Sequence, residues 1–119
     1  KGANVDFIHD IDNTTPLHVA VRGGNTDIVN LLVARKANVN SVTNFGESPL
    51  HMASSRGDAD LVKLLLDNGA YIHAKENIVG DMPLHKAAYS GHNHVVNLLL
   101  EKSNPLMSIN ILQALFNSL

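Results

Sequence analysis

A six-residue string recurs three times along this chain of 119 residues: Thr15-Pro16-Leu17-His18-Val19-Ala20, Ser48-Pro49-Leu50-His51-Met52-Ala53 and Met82-Pro83-Leu84-His85-Lys86-Ala87. The copies begin 33 and then 34 residues apart. A fixed period of this length marks a stacked repeat array, in which each unit buries its apolar face only against its neighbours. The period limits function as well as fold. Such arrays present a long, shaped surface and rarely house a catalytic centre.

Each copy continues in the same way. A turn follows at Gly23-Gly24, Arg56-Gly57 and Ser90-Gly91, and then an apolar stretch at residues 28–32, 61–66 and 95–100. A second turn closes the unit at Lys36-Ala37-Asn38-Val39-Asn40 and Gly69-Ala70-Tyr71-Ile72-His73. The local chemistry is helical. Thr15 and Ser48 suit an N-cap, and Pro16 and Pro49 suit the first helical position, where a missing N–H costs nothing. Leu17, Leu50 and Leu84 point inward with Ala20, Ala53 and Ala87, and the middle repeat predicts Leu50 as the most completely buried of the leucines. Gly24, Gly57 and Gly91 suit the left-handed residue that ends a helix. Leu61, Leu64 and Leu65 keep the i, i+3, i+4 spacing of a second helix. Two antiparallel helices per repeat follow.

With these residues in register, the chain resembles the ankyrin repeat family, whose Thr-Pro-Leu-His-x-Ala core sits in a unit of about 33 residues. The resemblance covers roughly residues 2–107. It implies an all-α solenoid of stacked antiparallel helix pairs with β-hairpin finger loops. The whole chain, 1–119, then reads as a single domain. Its repeats lie at approximately 10–40, 43–73 and 77–107, with a terminal helix at approximately 108–119.

The departures carry information. Met82 stands where a capping Thr is expected and has no oxygen to offer; either Asp81 substitutes from one residue back or the helix start frays. Asn13 takes the place of Gly46 and Gly80 and tolerates a left-handed backbone better than most residues. The first and third fingers hold one residue more than the second. Beyond the third repeat the motif does not return. Leu112, Leu115, Phe116 and Leu119 instead recur at i, i+3, i+4 and i+7, opposite Asn110, Gln113 and Asn117, which predicts an amphipathic helix without charge. It can cap the third repeat, or dock on a partner or on a downstream segment. At the other end, Gly2-Ala3-Asn4-Val5-Asp6 matches the second turn of a repeat whose helices are missing, so further repeats are expected to precede it. The irregular fingers, Met82 and the tail argue against a designed consensus array.

Composition excludes several classes. There is no cysteine, and the net charge of −2 does not suit the basic footprint of a nucleic-acid binder. No apolar run approaches bilayer length, so no membrane partner is expected. No cofactor, metal or small-molecule substrate is expected, because no phosphate loop and no nucleophile elbow occur. No residue fixes the compartment; a cytoplasmic setting is the working expectation. Of the seven histidines, His18, His51 and His85 belong to the repeat motif, where the resemblance implies that they bond backbone groups. His92 and His94 read as structural or solvated, and His9 and His73 as solvated loop residues. Asn13-Thr14-Thr15 is formally a glycosylation sequon, but Thr15 is better explained as a cap. Asn40 is similar to asparagines hydroxylated in some members of the family, or is an ordinary turn residue.

The resemblance also implies where partners bind: the concave face made by first helices and finger tips. Residues there that the motif does not require are Val19, Arg22, Met52, Arg56, Lys86 and Tyr89 on helices, and Phe45, Glu47, Ile78 and Asp81 on fingers. Bases gather on helices and acids on fingers. Phe45, Met52, Ile78 and Tyr89 are apolar or aromatic where the fold asks for neither. The expected function is a non-catalytic protein-interaction module that docks a protein or peptide in this groove. The alternative is a targeting or regulatory ankyrin segment of a larger effector, toxin, channel or enzyme.

Overall fold

The first helix of each repeat is started by the residue before its proline. In the computed structural model, which describes residues 5–8, 11–103 and 117, Thr15 and Ser48 both hold extended backbone and accept from the main-chain N–H three residues on, at His18 (3.3 Å) and His51 (3.2 Å). The histidine returns the bond: its Nδ1 accepts from the Thr15 N–H (3.0 Å) or the Ser48 N–H (3.1 Å). Two orphan donors at each helix start are satisfied in this way. The result is three helix pairs in chain order: α1 (Pro16–Arg22) with α2 (Thr26–Ala34), α3 (Pro49–Arg56) with α4 (Ala59–Asp67), and α5 (Pro83–Tyr89) with α6 (Asn93–Ser103). The fold is all-α. Helix α3 packs against α1, α4 and α5, and α6 packs against α4 and α5. Leu17, Val21, Val29, Leu50, Leu61, Val62, Leu65, Val95 and Leu99 form the buried spine of the stack.

At the third repeat only half of the capping exchange survives. Met82 N–H still donates to His85 Nδ1 (2.9 Å), but the His85 N–H turns to the Met82 carbonyl (2.9 Å). Asp81 does not take over as the cap. Met82 keeps the φ and ψ of Thr15 and Ser48. Met82→Thr is therefore expected to stabilise the array by about 1 kcal/mol, read as a higher melting midpoint. A lower midpoint would show that packing of the half-buried thioether outweighs a cap.

The leucines are not equal. Leu17 and Leu50 are fully buried, so Leu50 does not exceed Leu17, and Leu84 is only half-buried. Among the described residues a first helix follows α1 and α3 in the stack but none follows α5, and a stack buries a face only against a neighbour. His85 follows the same logic: it is exposed, while His18 and His51 are fully buried and reach the next finger.

Those two reaches tie successive repeats. His18 Nε2–H donates to the Glu47 carbonyl (3.1 Å), and His51 Nε2–H to the Asp81 carbonyl (2.8 Å). With Nδ1 already accepting a main-chain N–H, each ring is held as the neutral Nε2–H tautomer. Burial, first of all, pushes both pKa values below the ordinary 6.5, although the bonded carbonyls oppose it. Protonation would place an N–H against an N–H. The unfolded chain therefore binds more protons than the folded one from about 6.5 downward, and stability falls with pH there. The loss begins as pH drops through the unfolded value and ends below the folded values. Its slope is bounded at about 1.4 kcal/mol per pH unit for each histidine. Melting midpoints taken from pH 7.5 to 5 should fall; a rise would contradict the neutral tautomers.

The second turns are clamped as well. Asp6 Oδ1 accepts from the Asn38 N–H (3.0 Å), and Asn40 Oδ1 accepts from the Tyr71 N–H (2.8 Å) while its Nδ2 donates to the Gly69 carbonyl (3.0 Å). Asn40 is thus a cross-repeat link rather than a residue serving its own turn alone. The left-handed positions fall as expected, with Gly24, Gly57, Gly91 and Asn13 at φ of 70°, 77°, 76° and 60°. The terminal helix expected at 108–119, apart from Asn117, and His9 lie outside the described residues.

Candidate functional site

Repeat register places the candidate residues on one helix face. Val19, Met52 and Lys86 occupy equivalent positions on α1, α3 and α5, and Arg22, Ser55 and Tyr89 lie three residues later, on the same side of each helix. Val19 and Tyr89 are exposed, Tyr89 to 77%. Met52 is not: at 7% it belongs to the core. The expectation that Met52 stands free is corrected. Helix α3 has first-helix neighbours on both sides, α1 and α5, so the middle member of the series is enclosed.

Met52 remains at the edge of a cleft. Together with Arg22, Glu47, Ser55 and Arg56 it lines a concavity of about 320 Å³ between the second finger and helices α1 and α3. The structure thus joins four candidates that are up to 34 residues apart in sequence. Arg56 is held in place. Its Nη1 donates to the Arg22 carbonyl (3.2 Å), its Nε lies 3.8 Å from Asp58, and the guanidinium covers Gly24, where a Cβ would collide with it. Arg22 is exposed and forms no ion pair among the described residues. It can meet an acidic group from outside without first giving up a partner.

The finger tips are joined into one row. Asn44 N–H donates to the Asp12 carbonyl (2.9 Å) and Asn77 N–H to the Phe45 carbonyl (2.6 Å). Asparagine side chains repeat the connection: Asn13 Nδ2 to Asn44 Oδ1 (2.7 Å), Asn44 Nδ2 to the Ile11 carbonyl (2.8 Å) and Asn77 Nδ2 to the Asn44 carbonyl (3.2 Å). The second and third fingers are hairpin-shaped and closed at the base by main-chain bonds, Thr43 N–H to Glu47 O (3.0 Å) and Glu76 N–H to Asp81 O (2.9 Å). Among the described residues none is in a strand. Along this row Ile11, Phe45, Ile78 and Val79 are exposed.

One finger residue expected at the surface is not there: Asp81 is 8% exposed. The helix base and the finger acids meet on this side. Lys86 Nζ lies 3.7 Å from the Glu76 carboxylate and 3.9 Å from that of Asp81. Asp81 and Lys86 therefore pair across the finger–helix junction. Glu47 is half-buried at the cleft. Glu76 was not among the candidates. Its carboxylate sits below its ordinary pKa, first because the Val79 N–H bonds it, with the Asp81 and Gly80 N–H groups and Lys86 adding to this against lost solvation. The asparagine row was also missed. The 33-residue interval from Asn44 to Asn77 could have signalled it.

His92 and His94 are structural. Their Nε2 atoms lie 3.0 and 3.1 Å from the Ser55 and Gly57 carbonyls, so they join the start of α6 to the end of α3. Among the described residues no cluster of three or more His, Asp or Glu could hold a metal ion, and no helix is long and apolar enough to cross a membrane.

Two family models match the chain: one described as ankyrin repeats (3 copies) over residues 1–76, and one described as ankyrin repeats (many copies) over residues 60–100. No match is found among curated proteins.

Proposed function

The chain belongs to the ankyrin repeat family, and from that premise we propose that it binds a protein partner on the face formed by its finger tips and first helices. Repeats of this family are generally protein-interaction modules and typically non-catalytic. The observation that carries the reading is the row of exposed Ile11, Phe45, Ile78 and Val79, fixed by hydrogen bonds between fingers, together with exposed Val19 and Tyr89 on the first helices. Apolar side chains held rigidly at a surface lose little entropy on binding. Arg22, with no ion pair among the described residues, adds a cation at the neighbouring cleft, so the partner segment combines apolar side chains with an acidic one.

The test begins with peptides selected from a displayed random library on the wild-type chain. Phe45→Ala, Ile78→Ala and Tyr89→Ala should leave the melting midpoint in place, because these side chains are exposed. At least one should weaken the selected peptides by about 2 kcal/mol, roughly 30-fold. Arg22→Glu should slow association and alter its salt dependence. Peptides indifferent to all four changes would sink the reading. Sensitivity only to Leu115→Asp with Phe116→Asp would move the binding surface to the C-terminal segment.

A further inference from the structure

We propose that Glu76 is the positioning residue of the third finger: it sets the finger's longer turn and thereby puts both Ile78 and Val79 on the exposed row. The finger's geometry needs no partner; its importance for binding rests on the function proposed above.

The second finger supplies the comparison. There Thr43 Oγ1 accepts from the N–H groups of Phe45 (3.2 Å) and Glu47 (3.3 Å), which lie two and four residues on. Glu76 occupies the same register position 33 residues later. The third finger closes at Asp81, one residue further along than Glu47 does. Its turn therefore presents its N–H groups farther from the anchoring residue. A hydroxyl on one carbon is too short for that span, and a carboxylate two carbons out reaches it. Glu76 Oε1 accepts from the N–H groups of Val79 (2.8 Å), Gly80 (2.8 Å) and Asp81 (3.1 Å). Three successive donors turned on one oxygen form an anion-holding concavity in the main chain, and the anion is supplied by the chain itself.

The surroundings suit a charged acceptor. The other oxygen, Oε2, faces Lys86 Nζ at 3.7 Å. The finger's base is fixed on the other side as well, because the Asp81 carbonyl accepts from His51 Nε2 of the preceding repeat. The longer turn has a visible consequence. The second finger shows one large apolar side chain, Phe45, and the third shows two, Ile78 and Val79, both exposed. The extra residue thus widens the apolar row at the third repeat, and it is Glu76 that makes the extra residue tolerable.

Amide hydrogen exchange on the full chain tests this without any partner. Glu76→Ala should speed exchange at Val79, Gly80 and Asp81 by about ten-fold or more, with Phe45, Gly46 and Glu47 unchanged. Glu76→Gln keeps a carbonyl oxygen and should lie between, which decides the matter if the alanine variant fails to fold. The rescue is the sharper arm. Glu76→Thr combined with removal of Val79 recreates the length and anchor of the second finger, and should restore protection at Gly80 and Asp81. Unchanged exchange in the alanine and glutamine variants would overturn the proposal, and so would a shortened finger that stays unprotected. Faster exchange at the tip with undiminished binding of the selected peptides would leave the role of Glu76 standing and remove the third finger from the binding surface.

Discussion

Leu50→Ala is expected to lower the stability of the array by about 2–5 kcal/mol, the range for emptying a fully buried leucine site. Leu50 is fully buried on α3, which touches α1, α4 and α5. None of these neighbours can close the gap without leaving its own partners. A typical domain has about 5–15 kcal/mol in total, so the loss is a large share. It falls at the worst place in a stack whose stability is a sum over neighbouring units. Weakening the middle unit uncouples both outer ones. Urea unfolding should show a markedly lower midpoint and can lose its single sharp transition. Leu84→Ala is the internal control: its half-buried site should cost clearly less. Equal effects of the two changes would show that the third repeat is as enclosed as the second.

Met52→Ala should cost about 2 kcal/mol, the low end for truncating a buried methionine. From the sequence, this position belongs with Val19 and Lys86, which lie in the same register, and truncation there would be harmless. The structure reverses that expectation, because Met52 packs into the core cluster. Its place at the rim of the cleft leaves room for water to enter, which softens the loss relative to Leu50. Thermal melts of Met52→Ala beside Tyr89→Ala make the comparison direct. Tyr89 is 77% exposed, and its midpoint should not move. If Met52→Ala melts like the wild type, Met52 is a surface residue and the cleft is deeper than described. A binding defect in Met52→Ala would then need no correction for lost stability.

The division between what could be read and what could not follows the range of the interactions. Caps, starts and turns were legible because each is settled within three or four residues. Thr15 and Ser48 bond the N–H of the residue three places on, and Gly24, Gly57 and Gly91 end a helix where only a left-handed residue can. The repeat period extends these local rules into a stack, and the histidines of the motif follow with it. Much of the candidate surface follows the same register: Val19, Arg22, Phe45, Arg56, Ile78 and Tyr89 are exposed.

The remainder depends on partners beyond a single turn, five residues away at Asp81 and 34 at Arg56, or on whether a repeat has a neighbour on each side. Met52 is enclosed because α1 and α5 flank α3, whereas Val19 and Lys86, in the same register, lack one flank among the described residues. Asp81 is buried because Lys86 and the base of its own finger close over it. Arg56 serves the carbonyl of Arg22 and the bare backbone of Gly24, a partnership no residue near Arg56 announces. Short-range hydrogen bonds and apolar spacing specify the helices, their caps, their pairing and their period, so these can be read from the residues alone. Which residues of a shared register remain open to a partner is settled by the fold, because burial is a property of the neighbours and not of the residue.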